Sequence, residues 1–332
     1  MSQEEYDAYL YKHARASYEA VSQHTCLLPD VGIDESLLKF SGMNSNTALQ
    51  AYSDELVNSV PELVNNLGAI FGAMTTVPNA VGLVALVISM LMEILIKSST
   101  PTSDDSYSMF RRVFGEEKAS GVRDTMSESV KRCRSFMNND QRLLEEIRRL
   151  EVQLSNDLTI LRNSLLHDGQ MSSRGFKIWV NGAHFHLQMM IHEARLNIQA
   201  GKKASDYVYS IKLITDMYLR ELKPLLKEYK TYMIQNTKVW RTVKSCIHGR
   251  EGPSCVYTYY IGIKRTEVNC EKPRDVYADV PNDNNLIKKY IDLVFAEYEP
   301  ISSLSNHFLN IKSNINSLVN QNDSFTLPYG RI

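Results

Sequence analysis

The segment from Leu63 to Met92 constrains this chain more than any other, because thirty residues pass without a charged side chain. Glu62 and Glu93 close it, and beyond Glu93 the sequence stays apolar through Ile94, Leu95 and Ile96 to Lys97. Eighteen or more apolar residues normally read as a membrane-spanning helix. Pro78-Asn79 interrupts this one near its middle, and that dipeptide is a turn signal. The segment 63–96 therefore reads as two apolar helices joined by a tight turn. Each arm has roughly 15 residues, or about 22 Å, which is short for a hydrocarbon core of ~30 Å.

The surrounding sequence must hide that hairpin in water. Long four-three stripes of apolar residues do so on paper. Ser2 and Glu5 form a capping box ahead of a helix lined by Tyr6, Leu10, Ala14, Tyr18 and Val21. Residues 25–46 read as irregular, punctuated by Pro29, Gly32 and Gly42, and a second helix starts near Thr47. From about Ser108 to Leu166 one long helix is expected, with Leu143, Ile147, Leu150, Leu154, Leu158, Leu161 and Leu165 as its stripe. His167-Asp168-Gly169 stops it and Ser172-Ser173 restart the next, whose stripe is Phe176, Val180, Ala183, Leu187, Met190, Ala194 and Ile198. A further helix is expected from Ser205 to Ser245, kinked at Pro224 and reaching Trp240. A last one runs from Asn282 to Leu318, kinked at Pro300, before a loose tail from Asn320.

Residues 246–281 differ in kind. CVYTYYIGIKRTEV is rich in β-branched and aromatic residues and reads as a β-hairpin or short sheet inserted in the bundle. Cys246, Cys255 and Cys270 lie in it as possible disulfide partners, and Cys246 with Cys255 could close a loop across Gly249–Pro253. Five cysteines leave at least one thiol free, and their spacing matches no zinc pattern. The acidic start MSQEEYDAY is not a secretory signal, so the chain is expected to be cytosolic, to have lost a signal before this numbering, or to leave cells by another route, with a soluble form that meets membranes conditionally.

No motif points to an enzyme or to a cofactor. The sequence lacks GxGxxG, GxxxxGK[ST] and GxSxG. His184, His186 and His192 lack the three- or four-residue spacing of helical metal ligands, and read instead as helix residues beside a core stripe. Residues 1–60 hold nine acids against three bases, whereas 201–250 hold eleven bases against four acids. Such asymmetry reads first as solvated helix faces that neutralise each other; as for an outside partner, the aromatics of the basic segment fall on its apolar stripe, so anionic lipid fits better than nucleic acid.

These features define a mainly α fold over residues 1–332: an elongated antiparallel bundle of long amphipathic helices, with an apolar helical hairpin and a small β-hairpin near one end. The plan resembles the helical pore-forming toxins of the cytolysin A type. It also looks like the rapunzel-like proteins of fish, and apolipoprotein L-type proteins share a similar hairpin. The toxin resemblance implies an apolar head packed away in the soluble form, which swings out at a membrane while protomers assemble into a ring. In that family the head sits deeper between long helices, whereas here it follows only about sixty residues. The residues expected to enter lipid are Leu67, Ile70, Phe71, Val77, Pro78, Val81, Leu83, Val84, Leu86, Val87, Ile88 and Leu91. The partners expected are a lipid bilayer and further copies of the chain. The alternative is a soluble helical scaffold in which the hairpin is permanent core.

Overall fold

The structure is a computed structural model. It describes residues 2–22, 27–60, 64, 67–68, 71–72, 74–99, 109, 113, 121–243, 247–249, 252–254, 259–267, 270–275 and 283–331. The fold is mainly α. In chain order the helices are α1 (Gln3–Ser22), α2 (Glu35–Ser41), α3 (Ser45–Ser59), α4 (Leu83–Ser99), α5 (Gly121–Phe136), α6 (Asp140–His167), α7 (Ser173–Gln199), α8 (Ala204–Asn236), α9 (Asp283–Glu297), α10 (Glu299–Ser302) and α11 (Leu304–Val319). The strands are β1 (Thr76–Val77), β2 (Thr237–Val243), β3 (Ile247–Gly249), β4 (Gly252–Ser254), β5 (Tyr259–Arg265), β6 (Cys270–Asp275) and β7 (Phe325–Thr326).

The residues divide into two compact units. One holds Met1–Val31, Met171–Ser173 and Pro224–Ser303; the other holds Gly32–Gln170, Arg174–Lys223 and Leu304–Ile332. The chain passes between them inside helices as well as in turns, so no linker marks the division in the sequence that was read as one domain. In the first unit α1 packs on α9, tied by Arg15 to Glu297 at 2.6 Å. The capping box closes as the sequence indicates: Ser2 N–H donates to Glu5 Oε2 at 2.6 Å and Glu5 N–H to Ser2 Oγ at 3.2 Å. The same unit carries an antiparallel sheet in the order β2-β5-β6 and the small β3-β4 hairpin.

Several element boundaries differ from the sequence reading, each for a local reason. The helix expected to Ser245 ends at Asn236, where Thr237, Val239, Thr242 and Val243 favour the extended chain, and Trp240 lies in β2 opposite Gly262. Of the rod expected from Ser108, the stretch before Gly121 lies outside the described residues apart from 109 and 113, and the remainder breaks at 137–139 into the antiparallel pair α5 and α6. Asn139 caps α6, its Oδ1 accepting from Arg142 N–H at 3.1 Å. Pro300 does not kink a continuous helix: it sits in the first turn of α10, between α9 and α11. Within the stretch read as irregular, Asp34 caps α2 by accepting from Ser36 N–H at 2.9 Å.

The second unit holds α7 at its centre. Between Gly175 and Asn197 every residue is buried except Lys177, Met190 and Glu193, which are half-buried. One apolar stripe was expected; burial on all sides is what the fold imposes. The tail is not loose either. Phe325 and Leu327 are wholly buried, and β7 pairs antiparallel with β1. Phe325→Ala is therefore expected to lower stability by about 3–4 kcal/mol, measurable as an earlier urea midpoint at unchanged slope.

Candidate functional site

The apolar segment and the polar contacts at its mouth form the candidate site, all within the second unit. The first arm ends at Gly72 (φ +60), whose N–H donates to Gly68 O at 2.9 Å. Thr75, Thr76 and Val77 then resist helix, and the connection to α4 is a strand followed by the Pro78-Asn79 turn, longer than the tight turn expected. Gly82 (φ +55) opens the second arm.

Of the residues expected to enter lipid, Leu67, Phe71, Val77, Val81, Leu83, Val84, Leu86, Val87, Ile88 and Leu91 are buried. Pro78 is exposed at the turn, and Ile70 lies outside the described residues. From Val81 to Met92 no residue is exposed; α4 packs against α2, α3 and α5. Beyond it Glu93 Oε2 accepts from Met109 N–H at 2.7 Å. Among the described residues no helix is long and apolar enough to cross a membrane. Cys246 and Cys255 lie outside the described residues, and Cys270 begins β6 opposite Arg265.

Three sets of hydrogen bonds hold the connection in place. From α3, Ser45 Oγ accepts from Gly82 N–H at 2.8 Å, and Asn46 donates to Ala80 O at 3.1 Å. From the tail, Leu327 N–H donates to Thr75 O at 2.9 Å and Tyr329 O–H to Met74 O at 2.6 Å. From α7, Gln199 and Asn79 exchange two amide hydrogen bonds, at 2.8 and 2.5 Å. Asn79 itself adopts φ +50, a conformation that asparagine tolerates better than most residues.

Arg195 joins these elements. It is 1% exposed, and its guanidinium donates to Leu318 O at 2.7 Å, Val81 O at 3.3 Å and Gln321 Oε1 at 2.7 Å. All three acceptors are neutral. Leu318 O belongs to the last turn of α11, where carbonyls lack helical donors and a cation is favoured. Burial lowers the Arg195 pKa to about 9, so it stays charged at neutral pH. A Cβ on Gly82 would stand 2.5 Å from Arg195 Nη1, so glycine is what lets the guanidinium reach the turn.

The histidines of α7 are buried in this same unit. His186 bridges Glu151 Oε1 at 2.7 Å and Tyr218 OH at 3.0 Å. His184 Nε2 faces Ser41 Oγ at 2.8 Å, and its Nδ1 faces His307 Nε2 at 2.8 Å. Ser41 donates its own proton to Leu37 O, so its oxygen accepts from His184 Nε2–H and His307 must donate to His184 Nδ1. Among the described residues, both ring nitrogens of the buried His192 lack a hydrogen-bond partner. Burial holds His184 far below the usual imidazole range, His192 at about 3 and His307 at about 4. Among the described residues no three His, Cys, Asp or Glu side chains gather closely enough to hold a metal.

Asn79 and Pro78 stood out in the sequence, but Ser45, Asn46, Arg195, Gln199 and Tyr329 did not. An arginine or a glutamine in a helical stripe carries no signal until its distant acceptors are known. No protein-family model, curated protein or solved structure matches the chain.

Proposed function

We propose that this protein is membrane-active: it shields the apolar hairpin in water and delivers it to lipid, where several copies assemble into a pore. The observation that supports this most is the contrast between α4 and its mouth. Ten consecutive uncharged residues, Leu83–Met92, lie behind a connection held by side-chain hydrogen bonds to Ser45, Asn46, Arg195, Gln199 and Tyr329. Such bonds contribute only about 1 kcal/mol each in water, because water replaces them when they open. Apolar burial is worth ~25 cal/mol per Å², so exposing the helix to water is costly unless lipid receives it. The arrangement is a two-state element that lipid would bias. At 17 residues α4 is about 25 Å long, which favours insertion as part of a hairpin or an oligomer over insertion alone.

The complete burial of Val84–Ile88 favours a second reading, a helical scaffold with α4 as permanent core. Dye release from anionic vesicles separates the two. Gln199→Ala removes both bonds to Asn79 and should weaken the closed state by about 1–2 kcal/mol, accelerating release about 5- to 30-fold. The scaffold reading expects the same loss of stability with intact vesicles. Release by neither protein, or equal release by both, would sink the insertion reading.

A further inference from the structure

Three buried imidazoles stand where α7 meets the elements that hold the hairpin mouth. His192 lies one helical turn before Arg195, a spacing that puts both side chains on one face. Arg195 is already a buried cation with neutral acceptors, one of them Val81 O at the start of the apolar arm. Among the described residues His192 has no hydrogen-bond partner, and burial and the nearby Arg195 charge both disfavour a proton on it. Its neighbour Glu193 is engaged by Arg148 at 2.7 Å. A proton on His192 would set two cations against each other, and the longest bond of Arg195, the 3.3 Å contact to Val81, is the one most readily given up.

The second place is the relay from His307 through His184 to Ser41, which ties α11, α7 and α2 together. His184 Nδ1 serves as acceptor there, so a proton on it would oppose two N–H groups across 2.8 Å and break the tie. Burial disfavours a proton on both rings, and the neighbouring His307 disfavours it further on His184. His186 differs because the Glu151 carboxylate faces it at 2.7 Å.

We propose that mild acid releases the hairpin mouth, with His184, His192 and His307 as the proton acceptors whose uptake of protons favours release of α7 from Val81, α2 and α11. The opening itself is a property of the protein in water; its consequence for lipid rests on the insertion reading above. The direction follows from linkage. In the closed form these imidazoles resist protons, and once released they take them up near pH 6.5, so the closed form is fully favoured above that pH and loses ground below it. Between pH 7 and pH 5 each group shifts the equilibrium about 25-fold, and three groups together about 10⁴-fold.

Hydrogen exchange on the full chain without lipid tests this, with rates corrected for the intrinsic pH dependence. Protection of the Leu83–Met92 amides should fall at least 100-fold between about pH 7.5 and pH 5. Amides of Ile287–Val294 in the first unit should keep theirs. In His184→Gln/His192→Gln/His307→Gln the fall should shrink to less than about threefold. Unchanged protection in the wild type, an equal fall in the triple variant, or equal loss in both units would overturn the proposal. If the triple variant does not fold, the wild-type comparison of the two units decides alone. Vesicle leakage read with a pH-insensitive dye separates the two ideas. Protection that falls without leakage upholds acid opening and refutes insertion; equal leakage at both pH values with unchanged protection refutes acid opening and upholds insertion.

Discussion

Arg195→Met is expected to destabilise the second unit by about 3–5 kcal/mol, a size typical of a broken buried polar network. The methionine fills much of the volume, so the loss comes from the acceptors left behind. Leu318 O, Val81 O and Gln321 Oε1 each lose a donor. Leu318 O is hit hardest, because the end of a helix offers its last carbonyls no intrahelical partner. Urea unfolding followed by the fluorescence of Trp179, which is buried in the same unit, would report the change. A loss below about 1 kcal/mol would mean that water replaces the guanidinium at the mouth, and that Arg195 is not what holds it. Gln199→Ala, which touches the same connection through one residue, should cost less than half as much.

Val84→Asp/Val87→Asp is expected to abolish the folded second unit in water. Val84 is 2% exposed and Val87 is not exposed at all. An unpaired carboxylate there must stay protonated or unfold its surroundings, at a cost of several kcal/mol for each site. Two such sites reach the whole stability of an ordinary domain, about 5–15 kcal/mol. Circular dichroism and thermal melts of the variant would show it as a loss of cooperative unfolding for this unit. A stable, soluble double variant would show that α4 sits in a wetter place than its burial indicates. The aspartate pair cannot separate insertion from scaffold, since both readings require its failure, whereas Gln199→Ala at the rim can.

Much of the fold was legible in the chain because it depends on neighbours three or four residues apart. The stripe from Leu143 to Leu165 is buried as its spacing indicates, except that Leu161 is only half-buried. Gly169 and Gly201 adopt positive φ at the ends of α6 and α7, where the sequence stops both helices. The capping box of α1 was readable for the same reason: its two partners are three residues apart. Turn and strand propensities were harder to weigh. Thr75–Val77 and Thr237–Val243 are short β-branched runs beside long helical patterns, and periodicity alone favoured the helix.

The sequence by itself determined that a long uncharged segment must be buried, that it breaks at Pro78-Asn79, and that amphipathic helices surround it. Hydrophobic periodicity and proline chemistry act locally, so they can be read from the order of residues. Only the tertiary structure decided what closes the mouth of that segment. Arg195 meets Val81 across 114 residues and Leu318 across 123, and His184 meets Ser41 across 143. No local rule constrains such pairs. They exist because burying α7 on every side forces the polar groups on it to find acceptors or donors wherever the fold provides them; among the described residues His192 and Gln188 Oε1 are the α7 groups left without one.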